Sequence, residues 1–343
     1  MVRDQMCLAE AFLDPRMGLR GKLKALAEVI DWAPLAALAE KVRPGETGRP
    51  PYPALAMLKA MYLAGLYDLS DPGLEEALID RVSFRLFCGF SLEERTPDET
   101  TILRFRHECM AAGVLEAVFA EVNRQFEAKG LMVKRGTLMD ATIIAAASAR
   151  PQRGAKTEAA PEAEAEPAPE AGEAARGDAA SAPLVAREPG ASFTRKGGKS
   201  YFGYRLHVGV DEGSGLVRRL ALTPAHVNES CVAENLISGD EAAVYADKGY
   251  EDKKRRAALK ARGVKDRIMH RSHKNQKALP HWHKRRNALI AKRRAPVERV
   301  FASLKRLYGR ARMRYCAFKH NLADMIRAMT AHNLCRAARL AGM

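Results

Sequence analysis

Apolar positions fall into two rhythms along the chain. Up to about residue 130 they recur every three to four positions, as in "YPALAMLKAMYLAGLYDLS", the spacing that lines one side of a helix. "SDPGLEEALIDRVSFRLFCGF" then opens on a Ser-Asp-Pro helix start with Glu75 and Glu76 in its first turn, where the helix dipole favours negative charge. "TPDETTILRFRHECM" reads as a capping box, with Thr96 as N-cap, Pro97 at the first helical position and Glu99 three residues on. Short helices joined by turns and ending on Arg104, Arg106 and His107 suit either a small DNA-binding module or a helical bundle with a solvated basic face.

From Gly136 the rhythm shortens. "GTLMDATIIAAAS" is a strand with Asp140 in its middle, "SYFGYRLHVGVD" alternates, "EGSG" is a turn and "LVRRLALTPA" returns as the partner strand. A helix around "ESCVAENLISGDE" leads to "AAVYADKGY", a short buried-type strand that ends at Asp247 and Gly249. "EDKKRRAALKARG" predicts a charged helix, "VKDRIMHR" another strand, and "PVERVFASLKRLYG" a helix whose stripe is Val297, Val300, Phe301, Leu304 and Leu307. The expected fold is α/β: a mixed sheet with flanking helices over residues 131–343, preceded by a small all-helical domain over 1–130.

Residues 151–190 fit neither rhythm. They hold thirteen Ala, six Pro, eight acids and four bases, and Leu184 and Val185 are the only large aliphatics. So little apolar area cannot offset the entropy of ordering the segment, which is expected to be a disordered insert. Setting it aside leaves 53 bases against 33 acids in the rest of the 343-residue chain, a net +20 where the whole chain carries +16. Each phosphate neutralised by such a surface releases a condensed counterion, so nucleic acid is the first partner to expect. The six cysteines have no CxxC spacing and read as reduced thiols of a cytoplasmic protein. No apolar run approaches the ~18 residues of a membrane helix, and phosphate-binding Walker glycine loops are absent.

Three acids stand out by position. Asp140 interrupts an apolar strand, Asp247 sits where a buried strand meets a glycine turn, and Glu298 is the only Asp or Glu between Arg267 and Ala323, a window with seventeen Lys and Arg. A carboxylate in a buried strand needs a partner or a metal. If the strands of Asp140 and Asp247 are neighbours and the helix of Glu298 packs across them, the three converge into hard oxygen ligands for Mg²⁺ or Mn²⁺. Two such ions could activate water and stabilise the leaving oxygen of a phosphodiester. Each acid also has an ordinary reading: a local ion pair for Asp140, turn support for Asp247, a first-turn helix acid for Glu298.

"MDATII", "YFGYRLHVGVD", "LTPAHVNES", "YADKGY" and "VERVFASLKRLYGRARMRY", in this order, resemble the DDE transposases of bacterial insertion sequences, specifically the insertion-sequence-five family. The stretch from "RPPYPALAMLKAMY" to "TPDETTILRFRHE" is similar to that family's helical N-terminal domain. The resemblance implies a ribonuclease-H-like catalytic core in which Asp140, Asp247 and Glu298 hold the metal ions, two Mg²⁺ or Mn²⁺. It implies a transposase that binds the inverted ends of its element, cleaves them and joins them to target DNA, acting as a homodimer or larger assembly. Related enzymes carry a Tyr, an Arg and a Lys around the Glu, and these fall on Ala291, Arg294 and Lys305. Ala291 departs from the pattern, so the alternative is an inactive relative that represses by occupying element ends.

Lys305 lies seven residues beyond Glu298, two helical turns on and nearly the same face. Arg294 precedes Pro296, which disfavours helical geometry at Ala295 and is expected to start the helix after it. Arg104, Arg106, Arg306 and Arg310 are further candidates for phosphate contact. "HRSHKNQKALPHWHKRR" holds His270, His273, His281 and His283. Without cysteine and amid positive charge, it reads better as a phosphate-contacting loop than as a zinc site, with Trp282 either stacked on a base or packed on the core.

Overall fold

The computed structural model describes residues 19–42, 50–148, 188–272 and 278–342. The proposed insert therefore falls outside the described residues up to position 187. The first part is helical: α1 (Gly21–Glu28), α2 (Ala33–Ala39), α3 (Ala54–Tyr67), α4 (Asp71–Asp80), α5 (Val82–Cys88), α6 (Glu99–Ala111) and α7 (Val114–Ala128). Helix α3 is apolar on nearly every side and is accordingly buried on nearly every side, which makes it the hub of this region. Ser70 caps α4 through the Gly73 amide at 3.2 Å.

The run from Ser70 to Phe90 forms two helices, because Arg81 is extended (φ −104°, ψ 99°) and divides α4 from α5. One local expectation changes. The cap of α6 is Asp98, whose carboxylate accepts from the Thr101 amide at 2.6 Å, rather than Thr96. Both residue types cap helices well, and the one nearer the apolar run prevails, leaving Pro97 outside the helix.

The second part is a six-stranded mixed sheet. Its strands are β1 (Thr137–Ala145), β2 (Ser192–Lys196), β3 (Lys199–Asp211), β4 (Val217–Pro224), β5 (Ala243–Ala246) and β6 (Lys265–Ile268), in the order β2-β3-β1-β5-β6, with β4 also on β3. Antiparallel β3 and β1 pair over nine positions, from Thr137 opposite Asp211 to Ala145 opposite Gly203. Gly203 is required there, since a Cβ would stand 2.1 Å from the Ile144 carbonyl oxygen. Strand β2 was not foreseen: Gly197 and Gly198, both at positive φ (56° and 77°), form the turn of its hairpin with β3. Strands β5 and β6 run parallel to β1.

Helix α8 (Glu229–Leu236) follows β4, α9 (Lys253–Ala261) joins β5 to β6, and α10 (His281–Arg294), α11 (Pro296–Arg306) and α12 (Phe318–Leu340) close the chain. One sheet face packs Leu206, Val208 and Val210 against Val297, Val300, Phe301 and Leu304 of α11. The other packs Met139, Val244 and Ala246 against Leu236 of α8 and Leu259 of α9. Layers of helix on both faces of a mixed sheet form the ribonuclease-H-like architecture.

Helix α12 serves two cores. Met325, Ala328 and Met329 sit with the sheet, while Ile326, Ala331, Leu334 and Ala337 complete the core of the N-terminal helices. An ionic seam centred on the fully buried Arg310 crosses the same boundary: Arg310 donates to the buried Asp324 at 2.7 and 3.0 Å and to the partly exposed Asp68, 242 positions away, at 2.8 Å. Among the described residues no helix is long and apolar enough to cross a membrane.

Candidate active site

Strand pairing brings Asp140 and Asp247 together. In the parallel ladder of β1 and β5, Thr137 faces Val244 and Leu138 faces Tyr245, and the same offset three residues on sets Asp140 beside Asp247. Asp247 is the first residue past the carboxyl end of β5, the end of a parallel strand at which α/β sheets hold ligands. Its carboxylate caps the single turn Lys248–Tyr250 by accepting from the Lys248 amide at 2.7 Å.

Asp140 is the more constrained of the two. Oδ1 accepts from the Ala141 amide at 2.9 Å, and Oδ2 lies 2.8 Å from a guanidinium nitrogen of Arg294. Burial raises the Asp140 pKa; Arg294 opposes that rise and the nearby Asp247 adds to it. The strand thus stores a carboxylate whose ionised form is held mainly by one arginine.

A third acid, to which the sequence reading gave no role, faces the pair. Glu229 starts α8, with Asn228 capping that helix through the Ser230 amide at 2.9 Å. Its pKa is raised by burial, lowered in part by Arg205 at 3.1 Å, and raised further by Asp140 and Asp247. Gly249 leaves room for it, since a Cβ there would stand 3.1 Å from Glu229 Oε2. Behind them the fully buried Tyr250 hydroxyl has no hydrogen-bond partner, and Glu229 and Asp140 raise its pKa further beyond the effect of burial. The cue lay in "LTPAHVNES": an Asn-capped helix beginning straight after β4 presents its first acid at the same sheet end as Asp247.

Glu298 is placed differently. It lies in the first turn of α11, exposed, and among the described residues it forms no ion pair. The chain is nonetheless tied to β1 on both sides of it, by Arg294 at the end of α10 on Asp140 and by Lys305 of α11, whose Nζ donates to the Ile143 carbonyl at 3.1 Å. Burial and, secondarily, Lys196 lower the Lys305 pKa. Ala295 keeps right-handed helical geometry (φ −48°, ψ −34°), so α10 and α11 abut and Arg294 stays in helical register, contrary to the break expected at Pro296.

The convergence expected of three carboxylates is therefore not reached in these positions. Among the described residues no group of three His, Cys, Asp or Glu is arranged to hold a metal ion. The physical reason stands beside Asp140: the guanidinium of Arg294 takes up the charge that a cation would otherwise balance. The donor set itself, carboxylate oxygens at adjacent strand positions with further acids at hand, is of the hard type that divalent Mg²⁺ or Mn²⁺ prefers.

Of the other candidate bases, Arg104 and Arg306 are exposed, while two are corrected. Arg106 is buried and paired with Asp71 at 2.8 Å, and Arg310 is fully buried on Asp324 and Asp68. A buried charge has to be paired, and these arginines satisfy acids of their own chain. In the histidine-rich segment, His273 lies outside the described residues. His270 stacks on His283 with centroids 3.9 Å apart, and Trp282 is 62% exposed rather than packed on the core.

Residues 132–334 match the family of the transposase DDE domain, and residues 12–108 match a second family described as a transposase domain. No solved structure matches the chain. The first match spans more than half of the sequence, over the sheet and helices that carry Asp140, Asp247 and Glu298. The chain belongs to the DDE transposases.

Proposed function

We propose that this DDE transposase is of the insertion-sequence-five type, binds the terminal inverted repeats of its element, and cleaves and transfers them with Asp140, Asp247 and Glu298 as the metal-holding acids. The observation that carries the reading is the juxtaposition of Asp140 and Asp247 at adjacent parallel strands, with the chain on both sides of Glu298 tied to β1 by Arg294 and Lys305. Enzymes of this family use divalent metal ions; here we take them to be two Mg²⁺ or Mn²⁺. When bound, such ions lower the pKa of water and stabilise a departing oxygen.

The chain's own groups do the rest. Arg294 would be free to neutralise a phosphate were a metal ion held by Asp140 in its place, and Lys305 holds α11 against β1. The exposed Arg306 and Arg104 contact phosphates further along the duplex. In the first step a water oxygen bonds to phosphorus as the 3′-oxygen leaves, giving a 3′-hydroxyl and a 5′-phosphate. In the second, that hydroxyl attacks a target phosphodiester, one P–O bond forming as another breaks, so no nucleotide cofactor is consumed. Residues 1–130 act in end binding and assembly and 131–343 in chemistry, on DNA of the nucleoid. The working form is a homodimer or larger.

The test is a labelled duplex carrying the element's own end, incubated with Mg²⁺, Mn²⁺ or EDTA and with Asp140→Asn, Asp247→Asn and Glu298→Gln alongside. Metal-dependent nicking at the boundary that disappears in each variant, with binding retained, is the expected result. Full nicking in any one variant would remove that residue from the triad. A second reading, a repressor that occupies ends without cutting, draws on Ala291 and on the ion pair that closes Asp140; binding with no nicking in any metal would select it.

A further inference from the structure

Three tyrosine hydroxyls among the described residues are buried without a hydrogen bond: those of Tyr62, Tyr204 and Tyr250. Two of them have a polar side chain close by, Thr330 beside Tyr62, and Glu188 and Asn321 beside Tyr204. Tyr250 has no such neighbour. The groups that act on it are Glu229, Asp140, Arg294 and Arg205, all of them at the acid cluster. Buried donors are nearly always bonded, so an orphan at this position calls for a role.

The backbone fixes where that hydroxyl stands. Tyr250 ends the single turn after Asp247, its amide donating to the Asp247 carbonyl at 3.0 Å, and its ring belongs to the core of Met139 and Leu259. Its carbonyl accepts from Arg255 Nη1 at 2.5 Å, and Nη2 of the same guanidinium donates to the Ser230 carbonyl at 2.7 Å. The buried Arg255 thus ties the turn of Tyr250 to the first turn of α8, which carries Glu229. One oxygen of Glu229 accepts from Arg205 at 3.1 Å. The other, Oε2, lies against Gly249, and among the described residues it accepts no hydrogen bond. A free donor and a free acceptor therefore stand on two elements that one arginine holds together.

We propose that Tyr250 is a positioning residue of the metal site: in the metal-bound state its hydroxyl donates to Glu229 and orients that carboxylate toward Asp140 and Asp247. Donors behind the acids of a metal site commonly set their direction and their affinity for the ion. The assignment rests on the reading of Asp140 and Asp247 as metal-holding acids.

The test titrates Mn²⁺ into the full-length protein and follows the free ion by its electron paramagnetic resonance signal, with Tyr250→Phe, Glu229→Gln, their double variant and Asp140→Asn alongside. Tyr250→Phe should bind Mn²⁺ about ten- to hundredfold more weakly. Adding it to Glu229→Gln should weaken binding no further, since both changes remove the same bond. In EDTA the urea midpoint of Tyr250→Phe should equal or exceed that of the native protein, because phenylalanine keeps the ring in the core and takes away an unbonded donor. Unchanged Mn²⁺ affinity, additive losses in the double variant, or a lowered urea midpoint would each overturn the proposal. The underlying reading fails separately: Asp140→Asn binding Mn²⁺ as the native protein does, or a native protein that binds none, would remove the metal-holding role of the acids and Tyr250 with it.

Discussion

Arg310 is where a basic sequence and the folded chain disagree most, and replacing it with Ala separates the two roles. The guanidinium is fully buried and is the main partner of Asp324, itself 3% exposed, and a second partner of Asp68. Arg310→Ala leaves Asp324 with Arg327 and Asp68 with Arg314, so each acid keeps one cation. Removing one member of a buried pair costs about 3–5 kcal/mol. The surviving arginines bring the expectation to the lower end, about 3 kcal/mol, a large share of the ~5–15 kcal/mol of a typical fold. Urea unfolding of native and variant protein measures it, and a double-mutant cycle with Asp324→Asn isolates the pair. Were Arg310 instead a phosphate contact, Arg310→Ala would leave stability nearly unchanged and lower the salt slope of DNA binding by about one. A loss below about 1 kcal/mol together with that lower slope would refute the structural account.

Other expectations follow from the same geometry. Glu229→Gln should cut the nicking rate about 10- to 100-fold while end binding persists, the usual effect of disturbing groups around metal ligands; unchanged nicking would place Glu229 outside the site. Arg327 and Arg310 hold the Asp324 carboxyl well below the usual carboxylate range. A depressed folded pKa gives stability that is complete above the unfolded value of about 4 and is lost as pH falls below it, so acid unfolding should be blunted in Asp324→Asn, as unfolding midpoints between pH 5 and 2 would show. Gly203→Ala should cost about 1–3 kcal/mol by forcing β3 off β1 at the Ile144 carbonyl, and an unchanged melting temperature would contradict that ladder.

Periodicity carried much of this fold, because β1, β3, β4 and β5 each alternate or run apolar in a way that only a sheet can bury, and β1 and β5 did prove to be neighbours. It could not find the partners of Arg106 and Arg310. A run of bases looks the same whether water or a distant aspartate receives it, and Asp68 lies 242 positions from Arg310. Strand β2 was hidden although Gly197 and Gly198 announced its turn, because the short polar run "SFTRK" has little apolar content to bury. Glu229 escaped for a related reason: as a first-turn acid it does a helix's ordinary work, and only packing reveals that the turn stands over Asp140 and Asp247. Glu298 stood out as the lone acid of a basic window, yet its exposure, while Arg294 pairs with Asp140, is a property of side-chain placement that no spacing encodes.

The sharing of α12 between two cores has a consequence for how the protein is made. The N-terminal helices emerge from the ribosome first, but their core lacks Ile326, Ala331, Leu334 and Ala337 until α12 has been made. Folding of the amino-terminal part must therefore wait for α12, against the common order in which early segments fold as they appear. A polypeptide stopped before residue 318 would leave the ribosome with apolar surface uncovered in both halves, and would be an early substrate for chaperones and proteases.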